Sequence, residues 1–395
     1  MFRVNVRSRS AAALLALGSL ALLSACSSSA SNSASTDDHS GSSSSSPSTA
    51  AGVAAAKAYA APYLAAPKNI ELSTPLKAKP PAGKLLVKLI YPTPTEEAAS
   101  RYTAQAAALI GWKYKPIVIA PTPEGIQQAF TSALQLNPAP NVIEEAGYDQ
   151  ATFAAQLAAA HQQGIGVISE SATAPASQAD GIIANLNGPP AAFADGKMLA
   201  AYVIAESNGN VHAASFNIES ITVINHFVSG FQAGLKQWCP SCTDTVVPEL
   251  ETGVGTTIPQ SVVSTLQKNP SINYAVFSFG DMTIGVDQAL RAAGLASQAK
   301  IVGQTADVTN IQAIKAGTED AFVSFNNPIL GYRTVDTAAR FVEGMPEPSS
   351  TISPLPEQII TKSNVGSILA DSSGQYYGVT NYQSQFEALW HLGQP

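Results

Sequence analysis

An α/β fold with parallel sheets, divided over two lobes, is what this chain of 395 residues predicts for most of its length. Apolar runs of strand length recur without polar alternation, as strands buried on both faces require. Helical segments of ten to fifteen residues separate them, the signature of βαβ units. The pair repeats about nine times, more strands than one sheet of this kind usually holds.

The rhythm starts at Lys84. Leu85-Leu86-Val87-Lys88-Leu89-Ile90 is the first strand, Pro92 and Pro94 interrupt it, and 96–109 is Ala-rich with helical spacing. A second strand is expected over 116–120. Thr122-Pro123-Glu124 reads as a helix start, with Thr as N-cap and Pro at the first helical position, for a helix running to Leu136. A strand at 141–144, a helix at 150–162 and a strand at 164–169 follow. Later strands are expected at 211–216, 244–248, 274–279, 300–303 and 321–325. Helices at 192–206, 225–237, 259–268, 283–293 and 308–315 separate them. Ligands of such sheets bind outside the carboxyl ends of the strands, which directs attention to loops 91–95, 170–173, 217–225, 249–257, 280–282 and 304–307.

The ends of the chain are of another kind. Arg3, Arg7 and Arg9 precede an apolar run over 11–23, too short for a span of roughly 20 residues and typical of a secretory signal. The run ends in Leu23-Ser24-Ala25-Cys26, which resembles the lipobox of bacterial lipoproteins. The resemblance implies that 1–25 is a signal peptide cleaved before Cys26, whose sulfur is diacylated and holds the chain on the outer side of the cell membrane. Residues 26–51 are nearly all small or polar, a flexible linker by composition. An Ala- and Pro-rich lead-in covers 52–83, with helical character in its first half. No later apolar run reaches membrane-spanning length.

The formal charge of −7 becomes −10 once the three signal arginines are removed, −7 − 3. An acidic, exported chain without a basic cluster is a poor nucleic-acid binder. Apart from Cys26, the cysteines are Cys239 and Cys242 in a C-x-x-C pair. Zinc would need a second ligand pair, and a thioredoxin-like site would sit at a helix start rather than after one. A structural disulfide joining a helix to the following strand is the favoured reading.

In strand order and spacing, 84–362 resembles the type 1 periplasmic binding proteins, the family of the ribose- and galactose-binding components of bacterial importers. Tyr274-Ala275-Val276-Phe277-Ser278-Phe279-Gly280-Asp281 stands where that family has an apolar strand ending in Asn-Asp. Lys300-Ile301-Val302-Gly303 and Phe231-Gln232-Ala233-Gly234 match two further family segments. The resemblance implies two doubly wound parallel-sheet lobes joined by a three-crossover hinge, crossing near 185–188, 325–328 and 353–356. One lobe is then 84–186 plus 327–354, and the other 187–326 plus 355–395. It implies a monomeric solute-binding protein that takes no cofactor and no metal and delivers a small molecule to an ABC transporter permease. A receptor of the same fold that signals to a membrane kinase, or an exported α/β enzyme, are the alternatives.

Carried over by position, the ligand site comprises Thr93, Pro94 and Thr95 after the first strand, Asn225, Gly280, Thr305 and Phe325. Ser171 and Ala172 fall where sugar binders carry an Asp-Arg pair. Glu170 and Asp281 are nearby acids able to hold a hydroxyl or a cation, although Asp281 also suits a cap for the helix from Thr283. Among the histidines, His226 alone faces the expected cleft. Loss of the Asp-Arg clamp and of a second arginine, with Phe in place of an amide, favours a solute less hydroxylated than ribose. No His-Glu-x-x-His, Gly-x-Ser-x-Gly or other catalytic set occurs, and Trp112 and Trp238 are expected in packing roles.

Overall fold

Continuous apolar strands need cover on both faces, and the computed structural model supplies it with helices on either side of two sheets. It describes residues 49–122, 124–145, 148–169, 181–345 and 355–393. The first sheet contains β1 (Leu85–Ile90), β2 (Lys113–Val118), β3 (Val142–Glu145), β4 (Gly166–Ser169) and β5 (Ile182–Asn185). Its order is β2-β1-β3-β4-β5, all parallel. The second contains β6 (His212–Ile218), β7 (Thr243–Glu249), β8 (Tyr274–Phe277), β9 (Lys300–Ala306), β10 (Ala321–Ser324) and β11 (Ile359–Thr361). Its order is β11-β10-β9-β8-β6-β7, and β11 alone runs antiparallel. The expected two-lobe α/β architecture is therefore present.

The helices are α1 (Thr49–Ala60), α2 (Pro94–Leu109), α3 (Gly125–Leu134), α4 (Ala154–Gln162), α5 (Pro189–Glu206) and α6 (Thr222–Trp238). After them come α7 (Ile258–Lys268), α8 (Val286–Ala292), α9 (Val308–Ala316), α10 (Asn327–Val342) and α11 (Tyr382–Leu389). Helix α2 begins where its sequence dictates: Thr93 caps it, accepting from the Glu96 N–H, and Pro94 takes the first helical position. Helix α3 departs from expectation. It starts at Gly125 with Glu124 as its N-cap residue, while the Thr122 N–H donates to Ala120 in a turn. Pro123 lies outside the described residues. Strand β2 begins three residues earlier than expected. It is an edge strand, where Pro116 forfeits no ladder bond and Lys113 and Lys115 discourage further pairing.

The chain leaves the first sheet after Asn185 and enters α5, which packs on α6 beside the second sheet. It returns after Ser324 into α10, which packs on α2. The third expected crossing begins at Ser353 and Pro354, outside the described residues. One segment is placed differently from expectation. The C-terminal α11, expected with the second lobe, packs on α10 of the first. Tyr332 stacks on Trp390 with ring centroids 5.7 Å apart and meets Phe386 at 5.4 Å. The lead-in is shared between lobes: Ala56 and Ala60 of α1 are buried with α5 and α6, whereas Ile70 and Leu76 join the core around α2 and α10.

Cys239 caps the end of α6 and forms a disulfide with Cys242, immediately before β7. Trp112 donates to the Pro81 carbonyl at 2.9 Å, and Trp238 lies 4.9 Å from the Tyr59 ring, so both serve packing. Among the described residues, no helix is long and apolar enough to cross a membrane.

Candidate ligand-binding site

A cleft lies at the carboxyl ends of the strands, enclosing ≈ 770 Å³ of empty space that includes its open mouth. The first lobe contributes Tyr91, Thr93, Thr95 and Glu96, from the end of β1 and the first turn of α2. The second lobe contributes Ile218, Ile221, Val223 and Ile224 around the β6–α6 junction, Glu251 and Val254 after β7, and Phe279 after β8. Gln304 and Thr305 end β9. Asn187 and Phe325 line it at the two described crossings, and Ala192 and Asp195 reach it from α5.

Two of these positions carry unusual backbones. Thr305 has φ +61° and Asn187 φ +46°. A β-branched residue in the left-handed region is strained, and strain of this kind collects at ligand sites. The neighbouring chain comes close here: a Cβ added at Gly280 would stand 2.3 Å from the Thr305 carbonyl oxygen. Gly280 thus permits a close approach of two strand ends and does not itself line the cleft.

Asp281 lies under the cleft, fully buried, in the short 3-10 helix Gly280–Thr283. It does not cap α8, whose N-cap is Gly285. Its Oδ2 accepts from the Thr95 backbone N–H at 3.4 Å, a hydrogen bond that joins the two lobes. Burial and the neighbouring Asp307 carboxyl push Asp281 up to about 7, against the pull of its Thr95 contacts. On the first-lobe side, Lys88 Nζ sits 2.9 Å from Glu144 and 3.9 Å from Glu96. Thr334 donates to Glu144 at 2.8 Å. Burial raises the Glu96 carboxyl, with Lys88 opposing the shift and Glu144 adding to it.

Of the residues singled out from sequence, Thr93, Thr95, Thr305 and Phe325 line the cleft. Pro94 is exposed on the helix start. Asn225 and His226 are displaced from the lining because α6 begins three residues before the expected start. Asn225 then sits within the helix, where its side chain accepts from Asn217 at 2.6 Å and donates to the Glu219 carbonyl at 3.1 Å. Ile221 and Ile224 take the lining positions instead. Glu170, Ser171, Ala172 and Cys26 lie outside the described residues.

Sequence reasoning did not single out Tyr91, Glu96, Asn187, Asp195, Glu251, Phe279 or Gln304. Tyr91, Glu251 and Gln304 fall within loops flagged as strand ends. Asp195 carried a signal of its own, an isolated acid in the Ala-rich stretch Ala191-Ala192-Phe193-Ala194-Asp195-Gly196. Among the described residues, no group of three or more metal-ligating side chains is present.

The family model of the periplasmic binding protein domain matches residues 91–346. The chain belongs to the periplasmic binding protein family. Solved members of similar fold include the 5-methylthioribose transporter solute-binding protein from Thermotoga lettingae, bound to 5-methylthioribose. It is 13% identical with a TM-score of 0.65, over 81% of this chain and 99% of that one. A glucose-galactose binding protein from Geobacillus stearothermophilus is 16% identical with a TM-score of 0.62, over 72% and 99% of the two chains. A periplasmic ribose ABC transporter protein from Conexibacter woesei is 15% identical with a TM-score of 0.59, over 73% and 95%. None of the curated proteins matches the sequence. As in other periplasmic binding proteins of type 1, the cleft lies between two doubly wound lobes.

Proposed function

We propose that this protein is an extracytoplasmic lipoprotein, anchored through Cys26, that captures a small solute between its lobes and delivers it to an ABC transporter permease. The solute is sugar-like or less polar than a sugar. It is held without chemistry, as a member of a family of binding proteins. The observation that carries this reading is the cleft itself. Strand ends of both lobes meet around it, and the Thr95–Asp281 hydrogen bond spans the lobes beneath it. A solute that bridges the same strand ends adds contacts that the separated lobes lack, and so favours the approximated form.

The apolar share of the wall supports the less polar end of the range. Ile218, Ile221, Ile224, Phe279 and Phe325 have no hydrogen bond to offer a hydroxyl, and apolar surface rewards apolar ligand area. The fold neighbours named above bind ribose, glucose or galactose, and a sugar bearing a methylthio group. The last of these joins a hydroxylated ring to an apolar tail.

A thermal-shift screen of the purified protein against sugars, polyols, nucleosides, amino acids and small aromatics tests the reading. A ligand present at 100 times its Kd adds about 2.7 kcal/mol of stability, an easily visible shift. A hit lost in Phe325→Ala supports binding in the cleft. A hit indifferent to both Phe325→Ala and Thr305→Ala removes the cleft from the account.

A further inference from the structure

We infer that the solute selected by this cleft is an organic cation: a protonated amine or quaternary ammonium group carried on an apolar body. The inference rests on the solute-binding reading above. Three carboxyl side chains reach the cleft wall from three different elements: Glu96 from α2, Asp195 from α5 and Glu251 from the loop after β7. No Lys, Arg or His is found among the described lining residues.

The buried cations of the first lobe do not make up the difference. Lys88 is one ammonium between two carboxyl groups, held 2.9 Å from Glu144 and 3.9 Å from Glu96. Arg333 donates to the Ile70 carbonyl at 2.6 Å and offsets the charge of the buried Glu357, which itself neighbours Asp195, so one cation serves two acids there. Glu96 and Asp195 are each 7% exposed, and the Glu96 Oε2 has Lys88 Nζ at 3.9 Å but no hydrogen bond. A carboxylate withdrawn from water in this way is costly unless a positive charge or hydrogen-bond donors compensate it. Burial accordingly raises all three carboxyl groups above their ordinary range. A bound cation would draw these raised carboxyl groups back toward their ionised form and pair with it, which a neutral ligand cannot do.

The remainder of the wall defines the rest of the ligand. A polyol needs matched arrays of donors and acceptors around its rim. Besides its carboxyl groups, the described wall supplies the amides of Asn187 and Gln304, three threonine hydroxyls and the Tyr91 hydroxyl, set among isoleucine and aromatic side chains. Aromatic faces suit a cation as well as an apolar surface, because the negative face of the ring attracts positive charge. Tyr91, Phe279 and Phe325 are the rings in the lining.

Isothermal titration calorimetry of the purified protein at neutral pH, with matched ligand pairs, tests the inference. The pairs are phenethylamine with 2-phenylethanol, choline with 3,3-dimethylbutan-1-ol, and glucosamine with glucose. At least one cation is expected to bind ten-fold or more tightly than its neutral partner. That preference is expected to shrink in both Asp195→Asn and Glu251→Gln, the second at a half-buried position, with the melting temperature of each variant checked for folding. If neutral members bind as tightly as the cations, or more tightly, the cationic inference is overturned and the solute-binding reading survives. If a cation is preferred but both variants retain the preference, these carboxyl groups are not its cause and the inference is overturned. If no member of any pair binds, the cationic inference is overturned, and the solute-binding reading is decided by the thermal-shift screen.

Discussion

The backbone N–H of Thr95, at the start of α2, donates to Asp281 Oδ2 at 3.4 Å, tying the first helix of one lobe to a strand end of the other. Asp281 is fully buried, and its carboxyl is raised to about 7 by burial and by Asp307. The folded chain thus retains a proton that the unfolded chain sheds above about pH 4. Stability from this group is complete below that pH and is lost as pH rises through 7. Glu319, raised to about 7, and Glu145, raised to about 8, act with the same sign. Asp371 is shifted the other way, and its contribution is already complete at pH 5. The melting temperature is therefore expected to be higher at pH 5 than at pH 8. Asp281→Asn should flatten part of that slope, and a melting temperature that rises from pH 5 to 8 would refute the assignment.

Lys88 offers a sharper test of the electrostatics beneath the cleft. Its ammonium is fully buried, 2.9 Å from the equally buried Glu144. Removing one member of such a pair strands the other charge, at a cost of about 3–5 kcal/mol. Lys88→Met should lower stability by that order in urea denaturation. Lys88→Met combined with Glu144→Met should recover much of the loss, since an apolar pair leaves no charge to solvate. A double variant as unstable as the single one would show that packing, not charge, sets the cost.

Legibility of this fold tracks how each element meets water. Strands such as β1, apolar but for Lys88, and β8 are visible as runs. Helix α10 was not, because it is enclosed on nearly every side and holds its charged residues inside. Arg340 pairs with Asp336 at 2.6 Å within the helix, and Trp390 donates to the same carboxyl group at 2.8 Å. The Arg333-Asp336-Arg340 spacing therefore reads as a solvated face when it is an internal network. Strand β11 has only three residues, and β5 offers only Ile182-Ile183-Ala184 before a polar Asn185, too little to stand out as a run. In the cleft, the strand-end rule placed the loops, but side chains arriving from helices were beyond it. Asp195 enters from α5 and Glu96 from α2, elements whose orientation depends on packing far from the site. The three-residue error in the start of α6 was enough to exchange Asn225 for Ile221 and Ile224.

The Cys239–Cys242 disulfide closes a ring of four residues. Loop-closure entropy for so small a ring amounts to about 2 kcal/mol. For a chain of this size that corresponds to a fall of a few degrees on reduction. Cys239 is itself buried, beside the Trp238 ring that packs against Tyr59 of α1. Dithiothreitol should therefore lower the melting temperature modestly and leave ligand affinity unchanged, since neither cysteine lines the cleft. A large loss of affinity on reduction would mean that α6 shifts as a whole when its end is released.

Helices α5 and α6 cross at glycines, and their contact positions Asp195. A Cβ added at Gly196 would lie 2.0 Å from the Phe227 carbonyl oxygen, and one at Gly230 would lie 2.0 Å from the Phe193 carbonyl oxygen. Glycine inside a helix sacrifices roughly 0.5–1 kcal/mol relative to alanine, so its presence at both positions reflects the close approach of the backbones. Because the obstacle is backbone and not the end of a flexible side chain, Gly196→Ala cannot be absorbed by a rotamer change. It should separate the two helices and destabilise the protein by about 1–3 kcal/mol despite the gain in helix propensity. The adjacent residue is Asp195, which lines the cleft, and Ala192 lies one turn before it. The same substitution should therefore weaken solute binding even at temperatures where the variant is fully folded. Urea denaturation measures the first effect and calorimetry of a confirmed ligand measures the second. Unchanged affinity in a destabilised Gly196→Ala would show that α5 moves without carrying the carboxyl group of Asp195 away from the ligand.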